Sequence, residues 1–186
     1  MSRRTLVGSY GQEITGNGVG TQKEHVIFAY EAMDQNKAWK IIECQVWLNN
    51  TVLGGGDSRL LLEYCLTTDF LTPPTAIGST AFNDYALQYN ASDNRGIAWG
   101  AVDYQLRDSL TDFRIPASSN IPHAMIADDR RAINYLILNT ILSSEGSSVT
   151  EANNRINYRI IMEQEKVTPV ESIVHQIRGM AQDVDA

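Results

Sequence analysis

The residues best suited to chemistry stand in "PHAMIADDRR" (122 to 131), where His123, Asp128 and Asp129 could offer imidazole and carboxylate ligands to a metal ion. The other histidines, His25 and His175, lie far away, and none of the three has the i, i+4 or close Cys/His spacing of a metal site. The expected arrangement is instead a solvated turn, in which the Asp pair is offset by Arg130 and Arg131. No GxSxG elbow presents a serine at a strand-to-helix turn, and no serine, histidine and acid are placed to suggest a triad. Gly16, Gly18 and Gly20 in "GNGVG" resemble a phosphate loop in spacing, but "TQKEHVIFAYE" follows and reads as a strand, where such a loop must open a helix. Trp39, Trp47 and Trp99 could stack on sugars or bases; on strands they are expected to pack in the core or at subunit contacts.

The net charge of −7 opposes a role in which the folded body coats nucleic acid, because that binding rests on clustered Lys and Arg that neutralise phosphates. Only Arg3 and Arg4 cluster near an end, which makes a weak basic arm. Cys44 and Cys65 sit in apolar strand-like runs and read as buried small hydrophobes rather than as a disulfide or a redox pair. The first twenty residues have no long apolar segment with a small-residue cleavage site after it, so no secretory signal is expected, and synthesis in a host cytosol is. The sequons at Asn49 and Asn90 then have no glycosylation to receive. No apolar run nears the ~20 residues that span a bilayer.

These residues must be positioned by strands. Residues 1 to 23, rich in Gly, Ser, Thr and Asn, read as a glycine-rich leader. Beyond it, period-two patterns predict strands at 25–32, with Val26, Phe28, Tyr30 and Ala32 on one face, and at 38–48, with Ile42, Cys44, Val46 and Leu48 on one face. Further strands are predicted at 59–67 (Leu60, Leu62, Tyr64, Leu66 aligned), 96–106 (Ala98, Gly100, Val102, Tyr104, Leu106 aligned), 132–142 and 155–165. In the last, Ile156, Tyr158, Ile160 and Met162 oppose Arg155, Asn157, Arg159 and Glu163. Two short pieces, "DFRIPA" and "IPHAMIA", are cut by Pro116 and Pro122, which confine them to edges or ends. Residues 68 to 94 read as a long connection, with one short helical turn near "AFNDYALQY".

With about eight strands and almost no helix between them, parallel crossovers have no material, so the sheets must be mainly antiparallel. Strands spread over so long a stretch, with polar connections, suit a two-sheet sandwich of Greek-key or jelly-roll type.

One helix is predicted after the last strand. In "TPVE", Thr168 can cap, Pro169 fits the first helical position, and Glu171 completes a capping box. Val170, Ile173, Val174 and Ile177 recur at i, i+3, i+4 and i+7, and Gly179 suits a stop. Two placements stay open for the apolar stripe: over the sandwich of its own chain, or against a neighbouring subunit.

"SSNIPHAMIADDRRAINYLILNT", followed by a polar loop and "NYRIIMEQEKVTPVESIVHQIRGMAQDV", resembles the ending of single jelly-roll capsid proteins of small environmental viruses. These have circular single-stranded DNA genomes and encode a replication initiator. The residues that carry the likeness are Ile121, Pro122, His123, Ile126, Asp128 and Asp129, then Val167, Thr168, Glu171, Ile173 and Gln182. The resemblance implies an all-β jelly-roll sandwich with a short C-terminal amphipathic helix, repeated as a virion coat protein into a closed icosahedral shell. It implies no active site and no cofactor, and its partners are copies of itself, with single-stranded nucleic acid inside and no membrane. On this reading residues 1–23 are the leader, 24–167 the jelly-roll domain, and 168–186 the helix and tail. The assembly surfaces are loops 49–58, 68–94 and 143–153 and the helix side chains Thr168, Val170, Glu171, Ile173, Val174 and Ile177. The long basic arm common in such proteins is replaced here by Arg3 and Arg4 alone. A carbohydrate-binding, lectin-like sandwich and a cupin-like metal enzyme built on His123 with Asp128 or Asp129 are the alternative expectations.

Overall fold

The computed structural model describes residues 2–12, 21–29, 36–49, 59–69, 95–106, 114–116, 124–133, 135–144 and 155–180. Along the chain these form β1 (Arg3–Gly11), β2 (Thr21–Ala29), β3 (Lys37–Asn49), β4 (Arg59–Thr67), β5 (Gly96–Leu106), β6 (Arg114–Pro116), β7 (Met125–Ile126), β8 (Tyr135–Ser144), β9 (Arg155–Lys166) and α1 (Pro169–Met180). The strands make one sheet of order β1-β9-β3 and a second of order β2-β8-β4-β5-β6, with β7 paired to β5. Every ladder between them is antiparallel.

The pairing is nested. β1 pairs with β9, β2 with β8, and β4 with β5, so early strands meet late ones around the middle of the chain. β3 completes the series with residues 124–132: Trp39 and Ala132 exchange backbone hydrogen bonds at 2.9 and 3.0 Å, and the Ala124 N–H donates to Cys44 O at 3.2 Å. The β3–β9 and β4–β8 ladders then roll this double-stranded ribbon into two layers, which is the jelly-roll arrangement. The chain is therefore an all-β, antiparallel jelly-roll sandwich that ends in a short helix.

The core lies between the layers, built from alternate residues of each strand: Ile156, Tyr158, Ile160 and Met162 of β9 face Leu62, Tyr64 and Leu66 of β4 and Leu136, Leu138 and Leu142 of β8. Two expected faces are corrected by β-bulges. The β3–β9 register shifts between Ile41 and Glu43, which turns Ile41 inward and leaves Ile42 37% exposed. The β2–β8 register shifts between Val26 and Phe28, so Phe28 is buried while Val26 is exposed. One extra residue reverses the facing of everything on one side of it, and a period-two reading cannot see it. Strand β8 is buried on both faces, since Ile137, Asn139 and Ile141 on its outer side are as covered as Leu136 and Leu138. There the Asn139 amide donates to Thr67 Oγ1 at 2.8 Å.

Residues 1–23 are not a leader throughout. Arg3–Gly11 pair residue for residue with Glu163–Arg155 as the margin strand of the first sheet, and β2 already starts at Thr21. "RRTLVGSYG" carries the alternation that permits this, with Leu6, Gly8 and Tyr10 on the core side. The glycine serves packing, because the Tyr158 ring of the facing strand lies where a Gly8 side chain would stand. Tyr64 covers Gly100 across β4–β5 in the same way.

Because Tyr64 is fully buried and cannot swing away, a side chain at Gly100 overpacks the core. Gly100→Val should lower stability by about 1–3 kcal/mol, read as a lower midpoint in urea, while Ala101→Val on the exposed side should leave the midpoint nearly unchanged. Equal midpoints for the two variants would contradict this packing.

Candidate functional site

α1 leaves the sandwich at the end of β9, where the Gln164 N–H donates to Ser2 O and the Val167 N–H donates to Asn36 O. Its start is a complete capping box. The Glu171 N–H donates to Thr168 Oγ1 at 3.2 Å, and the Glu171 carboxylate accepts from the Thr168 N–H at 2.7 Å and the Thr168 hydroxyl at 2.9 Å. Those two bonds, the backbone one first, hold the Glu171 carboxyl below its ordinary pKa.

The helix is turned over relative to an ordinary surface helix. At 100° per residue, Ser172, His175 and Gln176 share one face and Val170, Ile173, Val174 and Ile177 the opposite one. Ser172 is fully buried and His175 and Gln176 half-buried, whereas the four aliphatic residues are 71%, 48%, 42% and 57% exposed. The polar side is the more covered one and the apolar side faces water, the reverse of the usual amphipathic placement. Among the described residues, no strand packs along this helix. Of the two placements open to the stripe, cover over the chain's own sandwich is the one not seen.

The residues expected as chemistry do not converge. His123 lies outside the described residues. Asp128 and Asp129 occupy a turn, and the Asp128 side chain, 89% exposed, sits 3.6 Å from Lys40 Nζ. The arginines that follow also reach beyond this turn. Arg130 donates to Gly96 O at 2.6 Å and lies 5.4 Å from the Trp99 ring centre, while Arg131 reaches Glu165 Oε2 at 2.6 Å and also Asp128 O. With the Ala127 N–H on Ile97 O at 2.8 Å and the Ala132–Trp39 bridge, residues 124–132 hydrogen-bond both sheets and close this margin of the sandwich. Among the described residues, no group of three or more His, Cys, Asp or Glu could hold a metal ion.

A buried polar cluster that the sequence analysis did not anticipate ties the opposite margin. The Tyr10 and Thr140 hydroxyls are 2.8 Å apart, Thr140 Oγ1 donates to Gln12 Oε1 at 2.6 Å, and Lys23 Nζ donates to Gly11 O at 2.7 Å. His25 stacks on Tyr10 with ring centres 4.4 Å apart, and its pKa is lowered first by desolvation and then by Lys23. Every member except His25 is engaged within the chain by these bonds, and the cluster joins β1 to β2 and β8. Its signal was present in the spacing of Leu6, Gly8 and Tyr10, which marks a strand where only a leader was expected.

Arg3 and Arg4 belong to β1 rather than to an arm. Arg3 lies 3.9 Å from Glu163, and the Arg4 guanidinium is 5.1 Å from the centre of the Phe28 ring. Arg159 pairs with Glu43 at 2.7 Å, and Arg155 donates to Ser9 Oγ at 3.4 Å. The two ion pairs, being exposed, contribute about 0–1 kcal/mol each. Trp39 packs edge-on against Phe28, 5.7 Å between ring centres, and Trp47 is half-buried. Both cysteines are free and buried, with the Cys44 thiol pushed far up by desolvation. Loops 49–58, 68–94 and 143–153 lie outside the described residues except at 49, 68–69 and 143–144. No helix among the described residues is long and apolar enough to cross a membrane. No protein-family model matches the chain, and a search of curated proteins finds no match.

Two outcomes follow from α1. A carboxyl whose pKa falls on folding stabilises above its unfolded pKa and loses that contribution as the pH drops through the folded value. Helical ellipticity at 222 nm should therefore hold at neutral pH and decay only below about pH 4, and Glu171→Gln should lack that acid-dependent step. The Ser172 hydroxyl is buried without a hydrogen-bond partner, so Ser172→Ala should be neutral or stabilising by up to about 1 kcal/mol. A clear loss of thermal stability in that variant would show that the hydroxyl is satisfied.

Proposed function

We propose that this chain is a coat subunit that self-associates into a closed shell, its working parts being surfaces rather than catalytic groups. The observation that carries the reading is the apolar stripe of α1: Val170, Ile173, Val174 and Ile177 stand in water while the polar Ser172, His175 and Gln176 are the more covered side of the helix. An isolated chain gains nothing from that orientation, since burying each aliphatic side chain is worth about 1.5–3 kcal/mol. A second copy is the occupant that an assembling subunit always has at hand. The jelly-roll topology supports the reading, as does the resemblance of residues 118–140 and 157–184 to the ends of small-virus capsid proteins.

The helix is about 18 Å long at 1.5 Å per residue, too short to supply alone the roughly 1,000 Å² of a stable specific contact. It therefore acts as a clamp within a larger contact, strengthened by repetition around a symmetric particle. If nucleic acid is packaged, Arg3 and Arg4 do not reach for it as a free arm, because β1 holds both in the sandwich.

Light scattering of the purified protein with negatively stained grids tests the proposal, and uniform hollow particles are expected. Ile173→Glu with Ile177→Glu should leave the monomer's ellipticity and melting midpoint within the small range of surface substitutions yet shift the mass to that of free subunits. A parent protein that stays monomeric at high concentration, or a double variant that still forms particles, overturns it.

A further inference from the structure

The margins of the two sheets are guarded unequally. The β3 side is covered by residues 124–132, and β2 is broken by the bulge between Val26 and Phe28. Among the described residues β1 has no such protection: its nine residues run in unshifted register with β9, and "RRTLVGSYG" contains no proline, no lysine and no bulge. Its parity is fixed by two contacts. Ser2 O accepts from Gln164 on the β9 side, while Gly11 O accepts from Lys23 Nζ away from it. Even-numbered residues thus bond to β9, and the main-chain groups of Thr5, Val7 and Ser9 point out of the sheet. All three residues are exposed, and Val7, the midpoint of the strand, is a large aliphatic residue 70% in water.

We propose that β1 is a two-fold contact: it pairs antiparallel with β1 of a second copy, centred on Val7, and joins two three-stranded sheets into one of six. This contact deepens the self-association reading and rests on it. Centring on Val7 gives the longest overlap of Arg3–Gly11 with itself. Thr5 then faces Ser9 of the copy, Val7 faces Val7, and these pairs exchange about six main-chain hydrogen bonds. The antiparallel sense separates the Arg3–Arg4 ends of the two strands, whereas a parallel one would stack them. A closed two-fold at β1 and a helix that reaches a different copy give each subunit two kinds of contact, which a pair alone cannot use and a shell can.

Single-cysteine trapping in the full chain tests the register. A hydrogen-bonded antiparallel pair places its Cα atoms about 5.5 Å apart, within disulfide reach, and the native cysteines Cys44 and Cys65 are buried. Under mild oxidation Val7→Cys should form a disulfide dimer, Thr5→Cys and Ser9→Cys should not dimerise alone, and a mixture of those two should cross-link. Val7→Pro removes an N–H that β9 does not use, so it should keep the strand ellipticity and lose the dimer. Particles by light scattering without the Val7→Cys dimer, or cross-linking without register preference, overturn this contact and leave the coat reading standing. A monomeric parent overturns both.

Discussion

The structure depends on one strand being paired along both of its sides. β9 holds β1 on one flank and β3 on the other over almost its whole length, so its main-chain groups find partners from the start of the chain and from its first third. β8 does the same for β2 and β4 in the second sheet. The first sheet cannot form until the last third of the chain is present, because its middle strand comes from there, and the second cannot join β2 to β4 without β8. Contacts this distant in sequence make folding slow in principle and bring both termini of the sandwich to one sheet. The exit point of α1 follows: it emerges where β9 ends, beside Ser2 and Asn36.

Much of this was legible in the residues. The strands at 59–67 and 96–106 match β4 and β5 at both ends, and "TPVE" marks the helix start by chemistry that the capping box realises atom for atom. Three things were not legible, each for a physical reason. The two bulges leave no mark on the alternation, since Ile41 and Ile42 are equally apolar and only tertiary pairing chooses between them. β1 was hidden by its composition, because Gly8 and Gly11 read as flexibility, yet Gly8 gives room to Tyr158. The direction of the helix stripe was open, since a periodic pattern says that one face is apolar and not what that face meets.

Charge has a different role at each margin. Residues 124–132 bring two acids and two arginines to the closed side, where Arg130 and Arg131 fasten the segment to Gly96 and Glu165. The other side centres on neutral groups, with Tyr10, Gln12 and Thr140 satisfying one another between the layers and Lys23 donating to Gly11 O beside them. Burial raises the Tyr10 phenol well above its ordinary pKa, so that hydroxyl keeps its proton and its hydrogen bond at any physiological pH. The two sheets are thus fastened to each other at both margins and have little freedom to slide.

The reversed helix also has a thermal consequence. Association through aliphatic side chains draws its free energy from water released on contact, a driving force that is entropic near room temperature and weakens on cooling. The sandwich is fastened by ladders and buried hydrogen bonds as well as by its core, whereas the proposed clamp offers four exposed aliphatic side chains. In the proposed shell, chilling would therefore weaken the helix contact between copies before it disturbs any single copy, which would make cold a reversible means of loosening the shell.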